Sequence, residues 1–218
     1  MGKLESLEEL FAGRHFDRDV IILCVRWYLR FKLSLRDLVE MMGERGLSLA
    51  HTTIMRWVRH YTPEFEKRWR HYALQSAGCG ALVGRTVGFR LSPRRDVAAA
   101  KAFFRKAINN HWHPPQTITP DGYAASHRAV HEMKAEQFLP ADTTLRSSKY
   151  LNNLIEQDHR NIKSRVNAML CFKRFRNAAI TISGVELMHR IRKGQFNVAR
   201  LRLKDTTAPA VWKAVLSA

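Results

Sequence analysis

Two carboxylates in this sequence sit where an acid can do chemistry. Asp121 follows a short apolar stretch, Gln116–Thr119, and precedes Gly122. If that stretch is a strand, the carboxylate lies at its carboxyl end, where ligands gather in α/β sheets and where an acid can hold a metal ion. An Asp-Gly pair is equally a common turn former. Glu156 lies in LNNLIEQDHRNIKSR and, on a helical wheel, shares a face with His159, Arg160 and Lys163 at spacings of three, four and seven. Leu151, Leu154, Ile155, Ile162 and Val166 take the other side. One acid beside Asn152, Asn153 and three potentially cationic groups fits a metal-binding carboxylate next to side chains that hold phosphates. It also fits an ordinary Glu–Arg pair four residues apart on a helix surface.

The elements that must position these groups follow from periodicity. Helical spacing dominates the first 72 residues. Asp17 or Asp19 starts a helix running to about Arg30. A second helix fits Leu35–Met42, with Ser34 as N-cap and Asp37 three residues on, a variant of the capping box. Gly43 and Gly46 stop it and allow a tight turn. A third helix fits Ala50–Tyr61 and is expected to end before Pro63, because proline disfavours helix in the residue ahead of it. A short fourth helix covers Glu64–Tyr72. At about 100° per residue, Ile54, Trp57, Val58 and Tyr61 gather on one side of the third helix, and Thr52, Met55, Arg56 and Arg59 on the other. Three helices with a Gly-containing turn before the last make a helix-turn-helix. An outer face of two arginines and a hydroxyl suits guanine edges and phosphates in a major groove. The solvated side of a small bundle would show the same pattern.

Past residue 73 the character changes. Small residues dominate 74–90, with a strand expected over Thr86–Leu91. Asp96 caps an amphipathic helix with Val97, Ala100, Phe104, Ala107 and Ile108 on one face. Gln116–Thr119 and Thr143–Lys149 read as strands. Ala124–Lys134, Leu151–Leu170 and Asn177–Arg192 read as helices, the last apolar on most sides and therefore buried. Strands alternating with helices give an α/β arrangement. The expected organisation is a helical domain over residues 1–73, an α/β domain over 74–195 and a basic, poorly patterned tail over 196–218. Within CFKRFR, Phe172 and Phe175 alternate with Lys173, Arg174 and Arg176. Either the segment contacts DNA or, the reading preferred here, the aromatics anchor the loop in the core while the cations face water. His111, Trp112 and His113 read as a helix end with solvated imidazoles rather than a metal site.

Charge narrows the partner. The 218 residues hold 37 Lys and Arg against 19 Asp and Glu, a formal net charge of +18. Residues 1–73 carry 13 basic and 10 acidic groups, and residues 74–218 carry 24 and 9, so the cationic surface belongs mainly to the second part. Such a balance points to a polyanion, of which nucleic acid is the commonest. No RNP-type aromatic strand is visible, which disfavours an RNA-binding module. Cys24, Cys79 and Cys171 have no zinc-ligand spacing and read as reduced thiols of a cytosolic protein. No stretch approaches the ~20 apolar residues of a membrane span.

Longer blocks carry a resemblance. TITPDG, KYLNNLIEQDHRNIKSR and MLCFKRFRNAAITISGVELMHRIRKGQ resemble the transposases of the insertion sequence six family. So do FAGRHFDRDVIILCVRWYLRFKLSLRDLVEMMGERG, HTTIMRWVRHYTPEFEKRW and RLSPRRDVAAAKAFFRKAI. The resemblance covers about Phe11–Gln195 apart from one gap. It implies a small bacterial enzyme with an N-terminal helix-turn-helix followed by an RNase H-like α/β catalytic domain of the DDE type. It further implies Asp121 and Glu156 as the second and third catalytic acids and ligands for Mg²⁺ or Mn²⁺, with 34 residues between them. Lys163 matches the basic residue of that helix, and Thr52, Arg56, Arg59, Arg160 and Lys163 become the candidate DNA contacts. The implied partners are double-stranded terminal inverted repeats, target DNA and further copies of the chain. The implied location is the bacterial cytoplasm, at the nucleoid.

One departure matters. The family's first acid lies in a strand soon after the helical domain, in a segment resembling W-R-V-D-E-T-Y, and no such segment occurs here. Between His71 and Asp121 the sole acid is Asp96, which matches the family's helix cap. The stretch LQSAGCGALVGR does not resemble the family, and the space before Ser92 is too short for the three-strand meander that opens an RNase H-like sheet. We read an internal deletion of about two strands and the first Asp. The expectation is an incomplete catalytic domain and impaired cleavage. The alternative is a DNA-binding remnant without catalysis, or an inhibitor of an intact transposase.

Overall fold

The computed structural model describes residues 6–73, 90–111, 114–120, 122–146, 164, 174–205 and 207–217. The chain folds as two units, residues 1–74 together with 161–218, and residues 75–160. It is mostly helical, with one small sheet.

The first unit opens with α1 (Leu7–Phe11), α2 (Arg18–Arg30) and α3 (Leu35–Gly43). Short polar residues set the starts. Ser6 and Ser34 each form a reciprocal capping box, with Glu9 and Asp37 respectively, and Asp17 accepts from the Asp19 N–H. The chain leaves α3 through Gly46, whose φ of +73° is open to glycine at little cost. There the Leu47 N–H donates to the Met42 carbonyl at 2.9 Å.

Helix α4 (His51–Arg70) corrects the sequence reading. The expected break before Pro63 does not occur, and the third and fourth helices are one rod of 20 residues. Proline in a helix interior costs about 3 kcal/mol, through one lost hydrogen bond and a clash with the carbonyl four residues back. That carbonyl belongs to Arg59, whose side chain is exposed, so water can reach this side of the helix. Continuing the helix sets Phe65 and Trp69 on the stripe of Ile54, Val58 and Tyr61, all five buried to 0% exposure. Burying a large apolar side chain stabilises by about 1.5–3 kcal/mol, so two such residues outweigh the proline.

Helices α7 (Phe175–Arg192) and α8 (Ala208–Ser217) close over α4. Trp212 of α8 sits edge-on to Phe65 and Trp69, with ring centroids 5.3 Å from each. The buried Arg68 guanidinium donates to the Leu216 carbonyl at 2.9 Å, satisfying one of the carbonyls that a helix end leaves unbonded. Residues 196–218 are therefore not simply a tail. Phe196 forms an antiparallel bridge with Ala73, a 3-10 turn covers Val198–Leu201, and Trp212, Val215 and Leu216 are core. The sequence hides this because the buried residues are few and scattered among basic ones.

The second unit contains α5 (Val97–His111), β1 (Thr117–Ile118), α6 (Ala124–Ala135) and β2 (Thr144–Leu145). Asp96 caps α5 through the Ala99 N–H at 2.8 Å. The strands pair in parallel, Thr117 with Thr144 and Ile118 with Leu145, so β1–α6–β2 is a crossover unit. Its core is Ile118, Val130, Met133 and Leu139, with Phe104, Ile108 and Leu145 packed against it. The α/β order expected for residues 74–195 is thus present only as two strands of two residues each among the described residues. The expected strand over Thr86–Leu91 and helix over Leu151–Leu170 fall almost wholly outside them.

Two outcomes follow for the first unit. A fragment of residues 1–73 lacks α7 and α8 and leaves Phe65, Trp69 and Arg68 without their cover. It is expected to lack cooperative thermal unfolding by circular dichroism, whereas a sharp transition like that of the full chain would contradict this packing. Gly184 of α7 lies so close to α2 and α4 that an added Cβ would come within 2.7 Å of Leu29 and Thr62 carbons. Alanine would gain about 1 kcal/mol of helix propensity but overpack the contact by about 1–3 kcal/mol. Gly184→Ala is therefore expected to lower the urea midpoint modestly and Gly184→Val to lower it strongly.

Candidate functional site

The outer side of α4 is the best-defined candidate. Thr52, Arg56 and Arg59 are all exposed, and Ile54, Trp57, Val58 and Tyr61 are all buried, so the helix separates its two faces as its spacing predicts. Met55 is half-buried between them. Exposed His51 and His60 lie on the same helix, and His60 meets the Arg14 guanidinium at 3.4 Å. The face is rigid because the opposite side of α4 is core along its length. Its cations stand on an ordered backbone rather than on a loop.

The predicted chemical centre is only bracketed. Asp121, Glu156, Arg160 and Lys163 lie outside the described residues. Asp121 comes three residues after the end of β1, a strand paired in parallel, and its neighbour Pro120 is buried. Among the described residues, no three of His, Cys, Asp and Glu come together as a metal site.

Three other carboxylates of the second unit are committed elsewhere. Asp96 is the cap of α5. Glu132 meets Lys101 at 2.6 Å and Arg128 at 2.8 Å. Glu136 meets Lys101 at 2.6 Å and Arg105 at 2.9 Å. Hydrogen bonds from Lys101 hold both Glu132 and Glu136 below the usual carboxylate range, and the same bonds hold the Lys101 ammonium above its own. These side chains tie α5 to α6. They do not supply a spare ligand beside β1.

Two side readings resolve differently. Phe175 was expected to anchor its loop in the core, yet it is 53% exposed. It opens α7 nine residues before Gly184, about half a turn from the packed face at 100° per residue. It stands between exposed Arg174 and Arg176, while Phe172 and Lys173 lie outside the described residues. Cys24 is a buried free thiol pushed up to about 11 by desolvation, so it is inert rather than nucleophilic. The side chains of His111, Trp112 and His113 lie outside the described residues. No described helix is long and apolar enough to cross a membrane.

With this geometry in place, comparison with known proteins is informative. Residues 82–195 match the family described as a DDE domain, of the IS240 transposase type. The match takes in the last four residues of LQSAGCGALVGR, so only the first part of that stretch stands apart. The chain is 31% identical to the transposase for insertion sequence-like element IS431mec of Staphylococcus aureus, over 84% of this chain and 88% of that one. It is 30% identical, with the same coverage, to the Staphylococcus aureus transposase for insertion sequence element IS257 in transposon Tn4003. The chain belongs to the insertion sequence six family of DDE transposases. No solved structure matches it. The matched DDE span includes α7, which packs with the first unit, so the family's homology block and the folding units do not share a boundary.

The clamp between α5 and α6 has a defined pH dependence. A carboxylate with a lowered folded pKa stabilises above its unfolded value and loses that contribution as pH falls through the folded one. The Glu132 and Glu136 contribution is complete above about pH 4.5, their ordinary value, and disappears below it. Glu136→Gln is expected to flatten the acid limb of the stability profile. An unchanged limb would show that Glu136 contributes nothing to it.

Proposed function

We propose that this chain is an insertion-sequence transposase by descent that binds DNA through a helix-turn-helix and is impaired in strand cleavage and transfer. In this reading α3, the Gly46 turn and α4 form the DNA-binding motif, and Thr52, Arg56 and Arg59 enter the major groove of a terminal inverted repeat. The buried far side of α4 supports it, since base readout needs side chains held on a fixed helix. Exposed Phe175 with Arg174 and Arg176 supports a second contact with the nucleic acid. Arg160 and Lys163 are proposed to hold phosphates beside Asp121 and Glu156. Target DNA is the second substrate, and the assembly at transposon ends is of several copies. The place of action is the bacterial nucleoid.

The observation that carries the impaired reading is Asp96. It is the sole acid between His71 and Asp121, and its carboxylate is bonded to the α5 backbone. Chemistry of this class uses two divalent ions bridged by carboxylates, and Mg²⁺ demands near-ideal oxygen geometry. Asp121 and Glu156 alone do not make up that ligand set, so no cleavage step is assigned to this chain. The alignment supports a missing segment. It runs over 203 residues yet takes up 84% of this 218-residue chain, so the relative carries stretches without a counterpart here. A remnant of this kind, still able to bind repeat ends, would also compete with an intact transposase.

The test is cleavage of a labelled duplex carrying the element's terminal repeat, with Mg²⁺ or Mn²⁺ and purified protein. Binding that weakens steeply with salt, without nicking, is expected. Specific nicking abolished by Glu156→Gln would mean that another residue completes the site and would overturn the impaired reading. Absence of binding at low salt would overturn the DNA-binding reading.

A further inference from the structure

The second unit holds an ordered arginine–aromatic pair, one member of which is two residues from Asp121 in sequence. The Tyr123 hydroxyl donates to the Arg95 backbone carbonyl at 2.6 Å, and the Arg95 guanidinium lies over the Tyr123 ring, 5.0 Å from its centroid. The two contacts work together. The hydroxyl ties the residue that starts α6 to the segment that leads into α5, so the ring is fixed at both ends. The fixed ring then holds the guanidinium by cation–π attraction. Both residues are exposed, Tyr123 at 41%. Among the described residues, no acid pairs with Arg95, unlike Lys101, Arg105 and Arg128 on the helices nearby. A guanidinium held over a ring without an acidic partner still has N–H donors to offer, and its fork matches two phosphate oxygens at once. Tyr123 is two residues from Asp121, so the backbone keeps their Cα atoms within about 7 Å.

We propose that Arg95 and Tyr123 form a phosphate clamp that holds a DNA strand on the second unit. The ligand is a phosphodiester of double-stranded DNA. Arg95 makes the contact, and Tyr123 is a positioning residue that acts through it. This assignment rests on the DNA-binding reading above and adds a second, separate anchor in the other unit. It does not require cleavage activity, because a strand can be held without being cut.

The test uses the full-length protein and a labelled duplex of generic sequence, titrated at several salt concentrations. Each lost phosphate contact lowers the slope of log K against log salt by about 0.9. Arg95→Ala is expected to lower the slope by about one and to weaken binding about three- to tenfold at low salt. Arg95→Lys should keep the slope while losing part of the affinity, since the charge remains and the stacked fork does not. Tyr123→Phe should weaken binding less than Arg95→Ala, with the slope intact. The same losses should appear in a Thr52→Ala, Arg56→Ala, Arg59→Ala background, because independent sites add. If that triple variant binds more weakly but Arg95→Ala binds like the parent, the clamp is wrong and the DNA-binding reading stands. Equal losses in Arg95→Ala and Arg95→Lys with no change of slope would mark a structural effect and also overturn the clamp. Failure of the unaltered protein to bind at any salt would sink both.

Discussion

The first unit depends on the burial of α4 along one whole side. Ile54, Val58, Tyr61, Phe65 and Trp69 are fully enclosed, and they need neighbours on three sides. Helices α2 and α3 supply part of the cover, and α7 and α8 supply the rest. Gly184 lets α7 approach to a distance that any side chain would block. Trp212 then fills the end of the groove against Phe65 and Trp69. Because packing density in a core leaves little slack, the outward side of α4 inherits this rigidity. The orientation of Arg56 and Arg59 is thereby fixed by residues more than a hundred positions away in sequence.

The second unit is held differently. Among the described residues its apolar core is small, and two strands offer only a short ladder. Ion pairs of Lys101, Arg105 and Arg128 with Glu132 and Glu136 fasten α5 to α6, and Asp96 fastens the start of α5. Exposed ion pairs are individually weak, and they do not replace a buried sheet face.

In the proposed reading, loss of one acid and loss of strands belong together. In a parallel α/β unit, catalytic carboxylates project from strand ends, so a deletion that removes a strand removes the chemistry attached to it. The outward side of α4, which carries Thr52, Arg56 and Arg59, is held by packing against other helices. On that proposal, binding and cleavage are separable for a structural reason.

Much of the architecture was legible in the sequence because it is local. The capping box at Ser34, the cap at Asp96, the Gly46 turn, the two-sided pattern of α4 and the helices at Ala124 and Phe175 all depend on residues within one or two turns of each other. The family was legible for a related reason, since long ordered blocks carry more information than any spacing of two acids. What the tertiary structure decided was non-local. Pro63 does not break α4, because the enclosure of Phe65 and Trp69 outweighs it. The segment after residue 196 contributes to the core, because Trp212 and Leu216 find a groove that no local pattern announces. Phe175 faces outward, because Gly184 sets which side of α7 is packed. A sequence fixes periods and caps directly, whereas the choice between a buried and an exposed face is made by whichever distant helix arrives to cover it.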